Sequence, residues 1–246
     1  MTLQQDFEIS GQWLFRWRSY LPLFLFIIYV YSLKDFRYLG GSEKLDHLWE
    51  IFCLMVSFFG MLIRALTVGH TPKNTSGRNT TKQIADKLNT TGIYSVIRHP
   101  LYLGNFFMML GITLFVHQVW PTLVFILLFS LYYERIMYTE EAFLKDKYKD
   151  EFQAWANKTP AIIPSFKKYI APELPFSLKN VLRREYSGFL GVILSMFVLE
   201  ELSDWVLNEQ LEVDLLWIVI VLSGFVVWFV LRNLKKKTHV LDVQGR

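Results

Sequence analysis

The sequence predicts an all-α fold: a polytopic membrane helix bundle of about six transmembrane helices, with amphipathic helices on the cytoplasmic side. Three observations predict it. Of the 246 residues, 52% are hydrophobic and 17% aromatic, and mean hydropathy is +0.27, more apolar surface than a soluble domain of this size hides in its core. The apolar residues gather into segments that approach the ~20 residues a spanning helix needs. The charged residues gather between those segments, and their sign differs from one side to the other.

Taken in order, residues 13–33 form the first expected span. It is rich in aromatics and lacks a small-residue cleavage site, so it reads as a retained helix and not a signal peptide. Residues 47–68 form the second. A polar, turn-rich connection covers 70–91, and within it 80–88 is predicted as a short helix because Ile84, Ala85 and Leu88 recur at helical spacing. Spans three and four are 101–119 and 120–138, joined by a tight turn at Val119-Trp120-Pro121. Beyond Tyr138 the helix continues as an amphipathic one, with Leu144, Tyr148, Phe152 and Trp155 on one stripe and Pro160 and Pro164 to end it. Residues 177–184 set Leu178, Val181 and Leu182 against Lys179, Arg183 and Arg184, the pattern of a helix lying on a charged membrane surface. Spans 186–202 and 213–231 complete the set. With no internal repeat, the chain 1–246 reads as a single integral-membrane domain with a core at about 47–165 and a C-terminal helix pair at 186–231.

The net charge is +4, but its distribution matters more. Segment 203–214 carries Asp204, Glu209, Glu212 and Asp214 and no lysine or arginine, whereas the tail carries Arg232, Lys235, Lys236 and Lys237. Segments 69–100 and 139–185 are also basic. The positive-inside rule therefore puts these segments and both termini in the cytoplasm, although Lys34, Arg37 and Lys44 run mildly against it. A bacterial inner membrane is favoured over an organellar one. Such a basic face suits anionic lipid headgroups; no nucleic-acid module is present. Cys53 is the sole cysteine, and no His/Asp/Glu set has metal-ligand spacing, so no metal is expected. No ionisable residue falls near a membrane midplane, which argues against a proton relay or ion pathway. His70 and His117 read as interface residues. The sequence does not specify an oligomeric state.

Two polar clusters stand out. Tyr94, Arg98, His99, Pro100 and Tyr102 lie where a polar segment becomes an apolar helix, and Glu140-Glu141 lies beyond the next span. With Trp120 as the turn, His99 is 21 residues before it and Glu140 is 20 after it. At ~1.5 Å per residue each arm covers ~30 Å, the hydrocarbon thickness. Both clusters should emerge at one depth on neighbouring helices. Pro100 suits a first helical turn, and N–H groups there can hold an anion. Singly, charged residues at span ends are ordinary snorkelling side chains; two clusters at matched depth form a candidate site. Arg64, near the inner end of its span, can reach toward it.

Gly92-x-Tyr94-x-x-x-Arg98-His99-Pro100-x-Tyr102-x-Gly104, then Glu140-Glu141-x-x-Leu144, an aromatic pair and Ile163-Pro164, resembles the isoprenylcysteine carboxyl methyltransferase family. Phospholipid N-methyltransferases share part of the pattern. The resemblance covers about residues 60–165. It implies an integral-membrane, S-adenosylmethionine-dependent methyltransferase whose reaction is carried by Arg98, His99, Glu140 and Glu141. It further implies a cofactor pocket formed by Tyr94, Arg98, His99, Pro100, Tyr102, Gly104, Glu140 and Glu141, with Gly104 permitting close helix approach. Tyr148-Lys149 replaces the family's usual Phe-Gly, Phe152-Gln153-Ala154-Trp155 replaces its Tyr-x-x-Tyr, and the spans after residue 185 are additional. The expected acceptor is a membrane lipid or lipidated substrate entering from the bilayer. O-methylation of a lipid-linked carboxylate, such as isoprenylcysteine, or of a lipid phosphate is favoured; the turn 74–79 is a candidate phosphate contact. N-methylation of a phospholipid amine is the alternative. A non-catalytic lipid-binding protein and a nicotinamide-dependent reductase of sterol-reductase type are alternatives of other classes.

Overall fold

A computed structural model describes residues 2–75, 83–209 and 213–246. Among them the helices are α1 (Leu3–Trp17), α2 (Leu21–Ser32), α3 (Glu43–His70), α4 (Pro100–Leu114), α5 (Val119–Ala156), α6 (Leu178–Asn208) and α7 (Leu215–Lys237). Helices α3, α5 and α7 are long and apolar enough to cross a membrane, and α4 is a shorter apolar helix. Their outward faces expose Phe52, Met55, Leu62, Leu127, Leu131, Leu222 and Phe229, surface that water would penalise and lipid accepts. The chain is an integral membrane protein.

The expected first span, 13–33, is instead two helices. Arg18, Ser19 and Tyr20 separate α1 from α2, because Pro22, in the first turn of α2, has no N–H with which to continue the preceding helix. Helix α1 then lies along α5: Tyr132 Oη donates to the Leu14 carbonyl at 2.7 Å and Arg135 Nη1 to Ser10 Oγ at 2.8 Å.

Helices α3 and α4 cross at a seam of small residues. A Cβ at Gly104 would collide with the Arg64 side chain and the Gly60 carbonyl, and one at Gly60 would collide with the Gly104 carbonyl. Ser57 Oγ donates across the seam to the Met108 carbonyl at 2.8 Å. Small side chains here let the two backbones touch, the main way helices associate in lipid. The close approach expected at Gly104 is therefore present, to α3.

The turn between α4 and α5 falls at residues 115–118, and Trp120 is already helical, because Pro121 occupies the first turn of α5 and starts that helix. His117, in the α4–α5 turn, has a side chain only 5% exposed and lies 3.3 Å from Asp46. His70 bonds the Leu174 carbonyl at 2.9 Å. Residues 83–88 are not helical; the rest of the expected 80–88 helix lies outside the described residues, as does most of the turn 74–79. The surface helix expected over 177–184 is the beginning of α6 itself, started by Ser177, whose hydroxyl accepts from the Asn180 N–H at 3.3 Å, and running without a break into the apolar part.

Candidate active site

Helix α4 begins at Pro100, with His99 as its N-cap residue. The segment leading to it, which includes a 3-10 turn at Ile93–Ser95, is clamped from the 160–170 segment. Gly92 N–H donates to the Ile170 carbonyl at 2.8 Å, Arg98 N–H to the Pro160 carbonyl at 2.9 Å, and Ser165 N–H to the Val96 carbonyl at 3.0 Å. Backbone held this way cannot drift, so the Arg98 and His99 side chains are delivered to a fixed place.

That place is beside Glu140 and Glu141 of α5. Arg98 Nη1 lies 2.9 Å from Glu141 Oε2, and His99 Nε2 lies 2.8 Å from Glu141 Oε1. The other ring nitrogen, Nδ1, is 3.6 Å from Glu140 Oε2, and Tyr102 Oη donates to the same oxygen at 3.0 Å. The His99 and Tyr102 rings stack at 5.7 Å. An imidazole with a carboxylate at each nitrogen donates from both only when protonated. Burial pulls the His99 pKa down, but the hydrogen bonds and charges of Glu140 and Glu141 outweigh it and leave the ring above its ordinary value.

The cluster opens on a cavity of about 350 Å³. Tyr94, Arg98, His99, Pro100, Tyr102 and Glu140 line it, whereas Glu141 and Gly104 do not. Glu141 bonds both Arg98 and His99, and Gly104 belongs to the helix crossing, where it packs against α3.

Further wall residues come from parts of the chain that carried no motif. Arg18 and Ser19 arrive from the α1–α2 break, and Arg184 and Glu185 from the start of α6. Arg64 does reach inward, as its position suggested. Its Nε is 2.7 Å from Glu185 Oε2, its Nη2 3.0 Å from Glu185 Oε1, and its Nη1 2.6 Å from Asn105 Oδ1. Asn105 in turn donates to Tyr133 Oη at 3.2 Å, and Tyr133 meets Tyr102 at 4.8 Å. Asn105 had a legible signal, since it follows His99 and Tyr102 on the same face of α4. Arg18 and Glu185 had none.

One side of the cavity is closed by residues 83–89, which rest on the amphipathic end of α5. Tyr148 Oη and Lys147 Nζ each donate to the Ala85 carbonyl at 2.6 Å. Leu88 packs with Phe152 and Trp155, flanked by Leu144 and Tyr148, and Trp155 Nε1 donates to the Tyr94 carbonyl at 3.0 Å. The predicted apolar stripe thus faces protein. Helix α5 bends at Lys149, where φ is +45°, and this bend sits where the resembling family has glycine. In the wall Arg18, Arg64, Lys87, Arg98 and Arg184 outnumber the carboxylates of Glu140 and Glu185. Among the described residues no three His, Cys, Asp or Glu side chains are grouped as metal ligands.

Residues 49–151 match the family described as phospholipid methyltransferase. The chain is similar to the cobalt-zinc-cadmium resistance protein CzcN of Cupriavidus metallidurans, with 34% identity covering 53% of this chain and 58% of that protein. It is also similar to the nickel-cobalt-cadmium resistance protein NccN of Alcaligenes xylosoxydans xylosoxydans, with 32% identity over 55% and 61% of the two chains. The protein-S-isoprenylcysteine O-methyltransferase of Schizosaccharomyces pombe is 32% identical over 36% of this chain and 40% of its own. The chain thus spans less than two thirds of each of these relatives. No solved structure matches it.

Proposed function

We propose, from the match of residues 49–151 to the phospholipid methyltransferase family, that the chain is an S-adenosylmethionine-dependent membrane methyltransferase acting on an amphiphilic acceptor. The carrying observation is the cavity in which Arg98, His99, Tyr102 and Glu140 converge. Its donor set fits the amino-acid end of the cofactor. Arg98 has a buried Nε with no hydrogen-bond partner, able to take a carboxylate, and the Glu140 carboxylate, one-third exposed, is able to take an ammonium group. When bound, S-adenosylmethionine supplies an electrophilic methyl group whose transfer leaves the C–S electron pair on sulfur.

His99 acts as an orienting group. Held between two carboxylates, it keeps Glu140 and Glu141 at fixed separation and has no free nitrogen with which to take a proton. Arg98 is aimed by Glu141, and Tyr102 fixes the Glu140 oxygen it bonds. An ionised carboxylate or phosphate acceptor suits this machinery because it needs no general base; alignment and exclusion of water by residues 83–89 are what the protein supplies. The reaction favoured is therefore O-methylation of a lipid-linked carboxylate, isoprenylcysteine being one such, or of a lipid phosphate. Both termini and the basic loops face the cytoplasm in this reading, on anionic headgroups, and a bacterial inner membrane is the favoured setting.

The second reading is a phospholipid acceptor, in keeping with the matching family's description as phospholipid methyltransferase, with methylation on its amine. Mass spectrometry of lipids from cells with and without the protein separates the two by where the added methyl group appears. The cofactor is tested by titrating protein in nanodiscs with S-adenosylmethionine and with NADPH. Binding of the first and not the second is expected, together with its loss in His99→Asn. Wild-type protein that ignores S-adenosylmethionine, or a His99→Asn variant that both binds and turns over normally, would rule the reading out.

A further inference from the structure

We propose that Arg64, held in place by Glu185, reads the anionic head of the acceptor, so that the C-terminal helix pair supplies part of the active site. This rests on the methyltransferase reading and names the residue that selects the acceptor's charge.

The cavity runs along one face of α4, where His99, Tyr102, Asn105, Met108 and Met109 all line it. The ten residue steps from His99 to Met109 cover ~15 Å along the helix axis. Polar groups crowd the His99 end and methionines the other, the gradient an amphiphile requires. Arg64 bonds Asn105, about 9 Å along the axis from His99, beyond the Arg98–Glu141 cluster and next to the apolar end. A guanidinium at this depth costs several kcal/mol unless it is paired, and Glu185 provides that pairing with two bonds.

How Glu185 pairs decides what is left over. It occupies the side of the guanidinium formed by Nε and Nη2, and Asn105 takes one Nη1 hydrogen. Of the five N–H donors of an arginine, two remain, one each on Nη1 and Nη2. Both line the cavity, but the Arg64 side chain is 17% exposed and that of Glu185 only 5%, so the cation is the more accessible member of the pair. A pair serving only to join α3 to α6 has no need to leave free N–H donors at a cavity wall. The excess of arginine and lysine in the wall favours an anion at that position. A carboxylate and a phosphate both satisfy it.

The test uses full-length protein in phosphatidylcholine nanodiscs and three fluorescent amphiphiles of one chain length, headed by carboxylate, phosphate or trimethylammonium. Wild type is expected to bind an anionic probe. The double variant Arg64→Gln/Glu185→Gln, which removes both charges together, is expected to weaken that binding about tenfold, with affinity for tritiated S-adenosylmethionine unchanged. Arg64→Lys keeps the charge and loses the fork, and a smaller loss is expected; it also serves if the double variant misfolds. Whichever anionic probe responds identifies the head group. The proposal is overturned if neither anionic probe binds wild type, if their binding is indifferent to Arg64, or if the trimethylammonium probe is the one that depends on it. Failure of the methyltransferase reading shows separately, as absence of S-adenosylmethionine binding with the probe results intact.

Discussion

The middle of the chain and its flanks contribute to the cavity in different ways. Segment 49–151 supplies residues in compact clusters: Arg98, His99 and Tyr102 at and just before the start of α4, and Glu140 with Glu141, each bonded to the other cluster. The flanks supply isolated side chains, Arg18 from a helix break and Glu185 from the start of α6, brought in by packing over long separations. The difference is one of assembly: the His99 cluster is built from residues close together in sequence, whereas Arg18 and Glu185 are single side chains carried in by helix packing.

Substitutions break or sharpen that comparison. The largest effect belongs to the seam that sets the middle segment's geometry. Gly104→Val should destabilise by about 3 kcal/mol, the upper end for overpacking, since backbone atoms on α3 leave no room. Gly191 on α6 has nothing within 4 Å of a would-be Cβ, and Gly191→Ala should be near neutral; thermal unfolding in nanodiscs measures both. Next, Glu141→Gln removes the anion shared by Arg98 and His99. Breaking such a pair costs about 2 kcal/mol when partly exposed, so S-adenosylmethionine should bind about thirtyfold more weakly. Equal losses from Glu141→Gln and from the Arg64/Glu185 double variant would erase the distinction between middle and flank.

The pH dependence follows from His99. Its folded-state pKa is raised above an unfolded value of about 6.5. The stability it contributes is therefore complete below about pH 6.5 and is lost as pH rises through the folded value. The melting temperature should fall across that alkaline window in wild type and fall less in His99→Asn; parallel curves would deny His99 the role.

Smaller effects lie where residues 83–89 meet α5. Tyr148→Phe removes one hydrogen bond to Ala85, worth about 1 kcal/mol, and should speed hydrogen exchange in 83–89 more than in the 160–170 clamp. Smallest, Lys149→Gly relieves a positive φ and should stabilise by up to about 1 kcal/mol net of the chain entropy glycine adds. A loss of stability there would mean the bend is not strained.

Residues whose signal is local were legible. Pro100, the Arg98-His99 pair and the Glu140-Glu141 pair announced helix ends, and the stripe Leu144, Tyr148, Phe152, Trp155 announced a buried face. The break at Arg18 was not legible, because apolar composition alone runs through it. Nor was the absence of helix at 83–88, where bonds from Lys147 and Tyr148 to the Ala85 carbonyl compete with local periodicity.

By itself the sequence determined that this chain lives in a membrane, that two polar clusters meet at one depth, and which residues compose them. Those facts depend on hydrophobic run length and on rise per residue, and both are properties of neighbours in the chain. Only the tertiary structure decided that Glu141 bonds both Arg98 and His99 and that Glu185 pairs with Arg64. Contacts between residues 121 positions apart leave no periodic trace, since their energy depends on how whole helices pack.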